Sequence, residues 1–83
     1  PNSFVSYVQL ASLYTRRGNY TESEKILTRA LKVVSPNEKK RLALEFELVG
    51  DGLMRLGRKA DAARVYRQAS ALDPDKKELA DKL

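Results

Sequence analysis

Glu47, Asp51 and Arg55 recur every four residues, a spacing that places two carboxylates and a guanidinium on one face of a helix. Paired carboxylates are the raw material of general acid–base chemistry, but that chemistry needs an enclosed pocket, and nothing in the pattern implies one. Two other readings stand beside it. Asp51 and Arg55 form an i,i+4 ion pair worth a few tenths of a kcal/mol, or Glu47 and Asp51 together face a basic group on a ligand. The chain contains no His and no Cys. Disulfides, thiolate nucleophiles, the usual zinc or haem ligands and the commonest proton shuttle near neutral pH are thereby removed. The expectation is a non-catalytic protein with no metal and no cofactor.

A second set of charges suggests a different chemistry. Lys25, Arg29 and Lys32 stand at i, i+4 and i+7, and Arg64 and Arg67 occupy similar places further on. A cationic stripe of this kind could track phosphates. It is equally the ordinary coating of the outward face of an amphipathic helix, and no spare aromatic offers a platform for bases. The net charge is +5 over 83 residues, with no block of five or more like charges. The first 35 residues hold five basic and two acidic residues and carry most of the excess.

Elements that could position these groups are legible in the apolar spacing. Phe4, Tyr7, Val8, Leu10, Ala11 and Tyr14 form a helical stripe closed by Arg16-Arg17-Gly18-Asn19. Thr21 and Glu24 predict a capping box for a second helix bearing Ile26, Leu27, Ala30, Leu31 and Val34. Ser35-Pro36-Asn37-Glu38 predicts another, opening a third helix from Pro36 to about Leu56. A fourth carries Ala62, Ala63, Val65, Tyr66, Ala69 and Leu72. Asp73 and Pro74 then read as the cap and first turn of a short fifth helix with Leu79, Ala80 and Leu83. The fold class is all-α: four helices and a terminal fifth. No stretch approaches the roughly 18 apolar residues of a membrane span, and Pro1 to Val8 lacks the build of a signal peptide. With no Cys, that points to a cytoplasmic setting, and Pro1 in place of Met reads as the edge of an excised fragment.

The pattern repeats. Leu10, Ala11, Tyr14, Gly18, Tyr20, Ser23, Leu27 and Ala30 return as Val49, Gly50, Leu53, Gly57, Lys59, Ala62, Tyr66 and Ala69, an offset of 57 − 18 = 39 residues. This resembles the tetratricopeptide repeat, a helix-turn-helix unit. The likeness covers roughly residues 4–37 and 43–76. It implies a superhelical stack: repeat one at about 4–37, repeat two at about 38–73 with a lengthened first helix, and a capping helix at 74–83. Small residues at Ala11, Gly50, Ala30 and Ala69 would let helices approach closely, with Tyr14, Tyr20 and Tyr66 filling the spaces. Gly52 also reads as a close helix contact. Ser23 departs from the pattern, since a small apolar residue is usual there. The offset of 39 exceeds the usual 34 by five residues, which fall around Glu38 to Leu42 and carry Lys39, Lys40 and Arg41.

What the resemblance implies for function is a groove lined by the first helix of each repeat. Those positions are Val5, Val8, Ser12, Thr15 and Arg16, then Leu44, Glu47, Asp51, Met54 and Arg55. Apolar at one end and charged at the other, they suit an amphipathic helix or extended peptide. One version of the fold clamps the C-terminal carboxylate of heat-shock chaperones with Lys and Asn at set positions. Val8, Ser12 and Leu48 stand in those places here, so the clamp is absent. The expected function is a protein–protein interaction scaffold binding a protein or peptide. The alternatives are nucleic-acid binding through the basic helix faces, and homo-oligomerisation within a larger protein.

Overall fold

The computed structural model describes residues 3–83, so Pro1 lies outside the described residues. Five α-helices follow one another: α1 (Phe4–Arg16), α2 (Tyr20–Ala30), α3 (Lys39–Arg55), α4 (Lys59–Leu72) and α5 (Lys77–Lys82). A single 3-10 turn, Pro36–Glu38, precedes α3. There is no strand among the described residues, and no described helix is long and apolar enough to cross a membrane.

The two glycine turns are near-copies. Gly18 and Gly57 adopt φ of +78° and +77°, a region that only glycine enters without strain. After α1, the Asn19 N–H reaches the Tyr14 carbonyl at 2.9 Å and the Gly18 N–H reaches Thr15 at 3.0 Å. After α3, Arg58 reaches Leu53 at 2.9 Å and Gly57 reaches Met54 at 3.0 Å. These are the paired bonds of a Schellman motif, which satisfy helix-end carbonyls and reverse the chain at once.

Three predicted helix starts are corrected: α3 begins at Lys39, after the 3-10 turn, rather than at Pro36. The Thr21 capping box does not form: Asn19 is the N-cap of α2, and Thr21 already lies inside the helix. Closing the Schellman turn at Asn19 leaves no residue to spare, so the helix begins one position before the hydroxyl. Asp73 likewise does not open α5. Its N–H bonds Ala69 at 2.9 Å and ends α4, and its carbonyl accepts from Lys76 at 3.2 Å. Asp73-Pro74-Asp75-Lys76 is thus a turn, with Asp and Pro where turns favour them, and α5 starts at Lys77. The Ser35–Glu38 box is present, the Glu38 carboxylate accepting from the Ser35 N–H at 3.0 Å with Pro36 leading the turn.

The core runs between the helices through Leu27, Leu42, Phe46, Val49, Leu53, Val65 and Leu79, with Ala11, Ala30, Ala43, Ala62 and Ala69 at the closest approaches. Both interior glycines of α3 are contacts: Tyr66 packs on Gly50, and Tyr20 packs on Gly52. Ser23 is fully buried. Its hydroxyl donates to the Ala11 carbonyl at 2.9 Å and lies 2.6 Å from the Thr15 hydroxyl, which bonds the same carbonyl. A polar group that would cost about 1–3 kcal/mol if left unpaired is therefore accommodated.

Candidate binding groove

α1 and α3 run in the same direction, each followed by an antiparallel partner, and they touch directly: the Ser12 hydroxyl donates to Glu45 Oε1 at 2.8 Å. Residues 39 apart are equivalent. Val5, Gln9, Ser12 and Arg16 recur at i, i+4, i+7 and i+11, one stripe down α1, and Leu44, Leu48, Asp51 and Arg55 repeat it on α3. Val5, Leu44 and Leu48 are 58%, 42% and 43% exposed; Leu10, Val33, Met54, Leu56 and Leu83 are exposed to a similar degree elsewhere on the chain. Gln9 and Leu48 complete the two stripes and were not among the expected contact positions. The 39-residue offset applied around the whole helix circumference, rather than to the family's usual positions, would have found them.

The remaining expected positions divide. Arg16, Met54 and Arg55 are exposed, while Ser12 and Asp51 are half-buried. Thr15 turns toward α2, where its hydroxyl meets Ser23. Val8 is 4% exposed and belongs to the core, beneath a shallow depression that Phe4, Val5, Gln9 and Arg41 complete. Glu47 is 7% exposed.

Glu47 is held by α5 and the turn before it. Lys76 Nζ and Lys82 Nζ each donate to it at 2.7 Å, and Lys82 also donates to Asp51 at 3.0 Å. The Tyr66 hydroxyl donates to Asp51, and the Lys82 ammonium stands 5.5 Å from the centre of the Tyr66 ring, within cation–π range. Burial alone would raise the Glu47 pKa, but the hydrogen bonds from Lys76 and Lys82 outweigh it and hold the carboxyl below its ordinary value. Lys82 is raised in return by Glu47 and Asp51, and Tyr66 is pushed up to about 12 by burial and its bond to Asp51. The expected Asp51–Arg55 pair does not form. Asp51 is taken by Lys82, and Arg55 instead reaches the Tyr20 hydroxyl at 3.5 Å.

Partners also account for part of the basic faces. Arg64 grips Glu24 through two bonds of 2.8 and 2.9 Å and pairs with Asp61 at 2.8 Å, tying α4 to α2. Lys25 pairs with Glu22 at 3.4 Å. Of the predicted cationic stripes, Arg29, Lys32 and Arg67 lack a carboxylate partner among the described residues. In the five-residue extension, Arg41 is committed to Glu45 at 3.2 Å.

Two like-built helical hairpins, reversed by matching glycine turns and followed by a short fifth helix, define a helical-repeat protein. The tetratricopeptide repeat model matches residues 2–75, and the chain belongs to that family. No curated protein and no solved structure matches it. Repeats of this family generally mediate protein–protein interaction and are typically non-catalytic.

Proposed function

We propose that this chain is a non-catalytic interaction scaffold that binds a peptide or helix across α1 and α3. Val5, Ser12, Arg16, Leu44, Met54 and Arg55 would make contact, joined by Gln9 and Leu48, while Val8, Thr15, Glu47 and Asp51 would hold the surface in shape from beneath. In this reading residues 4–37 and 38–73 are the two repeats and 74–83 cap the second. The observation that carries it is the row of exposed Val5, Leu44 and Leu48 on equivalent stripes of two touching helices. A helix-in-groove or extended-peptide mode needs such anchors on a rigid face.

Panning a phage-displayed library of random 16-residue peptides against the folded chain tests the reading. Peptides that bind the chain and lose binding to a Leu44→Asp/Leu48→Asp variant of unchanged helicity are the expected result. Peptides that bind both proteins equally would place the binding surface elsewhere.

A further inference from the structure

We infer that the groove's partner is an acidic amphipathic segment: apolar side chains that seat against Val5, Leu44 and Leu48, with carboxylates displaced toward Arg16 and Arg55. This rests on the groove reading above and adds the partner's chemistry. Every carboxylate on or beside the stripes is already committed within the chain. Glu45 takes Arg41 and Ser12, Glu47 takes Lys76 and Lys82, and Asp51 takes Lys82 and Tyr66. A basic ligand group would have to displace these partners.

The cations are in the opposite condition. Arg16 and Arg55 are exposed, occupy equivalent ends of the two stripes, and have no carboxylate within 4.0 Å among the described residues. Lys40, one turn before Leu44, is exposed and likewise without one. Position in the last turn explains why two guanidiniums are tolerated there, since the helix dipole favours cations at that end. It leaves their forked donors open to carboxylates, which they bind best. The net result is an apolar row whose free charges are all positive.

Geometry sets the ligand's spacing. Val5 and Arg16 are eleven residues apart on α1, which is about 16 Å at 1.5 Å per residue. A helical ligand lying over both helices and parallel to their axes therefore places its carboxylates about eleven residues from its apolar anchors. An extended one places them about five residues away.

The test uses peptides selected from the same random 16-residue library, resynthesised with fluorescein and titrated by anisotropy in about 0.15 M salt. The expected peptides are rich in Asp and Glu at one of these distances from a cluster of Leu, Ile or Phe. Arg16→Glu/Arg55→Glu should weaken them at least about tenfold, while Arg16→Lys/Arg55→Lys retains most of the affinity. Neutral or basic peptides, lost on Leu44→Asp/Leu48→Asp and indifferent to Arg16→Glu/Arg55→Glu, would overturn the acidic partner and leave the groove reading standing. Peptides of any charge indifferent to Leu44→Asp/Leu48→Asp, or no selected peptides at all, would overturn both. Thermal melts of each variant separate lost contacts from lost folding.

Discussion

The Tyr66 ring lies so close over Gly50 that a Cβ added there would stand 2.5 Å from its Cε1. The ring has little room to swing away, because its hydroxyl is bound to Asp51 and Lys82 covers its face. Gly50→Ala is therefore expected to destabilise the fold by about 1–3 kcal/mol through overpacking, despite a gain in helix propensity of about 1 kcal/mol. Gly52→Ala is the informative control. Its added methyl would come still closer to Tyr20, but at the outer end of a half-buried ring whose hydroxyl has only the 3.5 Å contact with Arg55, against two partners for Tyr66. Chemical denaturation of both variants should give the larger loss at Gly50; the reverse order would contradict the packing described.

Val8 and Leu44 both fall in the groove by repeat position, but only one can be changed without unfolding. Val8→Asp would put an unpaired carboxylate in the core, with an expected loss of about 3 kcal/mol or more. Leu44→Asp sits at an exposed position and should stay within about 0.5 kcal/mol of the parent. Circular-dichroism melts would show a collapsed transition for the first and an almost unmoved one for the second.

The docking of α5 should depend on pH at both ends of the scale. Glu47 has a folded pKa below its ordinary 4.5, so its contribution is complete above that value and is lost as acid reaches the lower folded pKa. Lys82 and Lys76 are raised above 10.5, so their contribution is complete below it and fades at more alkaline pH. Tyr66 acts in the same direction, losing its contribution as pH rises from 10 toward about 12. Protection of the Leu79 amide, followed by hydrogen exchange corrected for intrinsic rates, should form a plateau from about pH 5 to 10. Glu47→Gln should lower the plateau and weaken its acid limb. Protection that stays flat down to pH 2 in the parent would argue that burial of Leu79 alone holds α5.

Ser23 and Thr15 compete for the Ala11 carbonyl and lie 2.6 Å apart, so two hydrogens serve three contacts and their contributions should not add. Ser23→Ala and Thr15→Val are each expected to lose about 1 kcal/mol, since each strips a partner from the other. The double variant removes both hydroxyls and should lose clearly less than the sum. A strictly additive cycle would mean that the two hydroxyls are not coupled.

The repeat made most of the fold legible. Gly18 and Gly57 announced both turns, and the pattern of small residues located the helix contacts, including Gly50. The helix starts that were misread depend on backbone bonding that side-chain identity does not report: Asn19 caps α2 because the preceding turn closes on it, and Asp73 ends α4 because Pro74 leads a turn. The groove was legible only as a set of repeat positions. Whether such a position is open or sealed is decided by residues far along the chain. Glu47 is closed off by lysines 29 and 35 residues downstream, and no local pattern reveals that pairing. Ser23 is similar, since its polar character makes sense only once Thr15 stands opposite.

The α1–α3 and α3–α5 joints are chemically opposite, although Ser12 and Asp51 hold equivalent positions. At the first, Ser12 gives a hydrogen to a carboxylate on α3; at the second, Asp51 is itself the carboxylate and receives a hydrogen from α5. Duplicating the α3–α4 unit and splicing the copy after α4 would set the copy's counterpart of Glu45 against Asp51, acid against acid. The units of this chain are therefore keyed rather than interchangeable. A longer array made by reiterating its own middle would be weakest at each such joint, and exchanging one of those two carboxylates would relieve it.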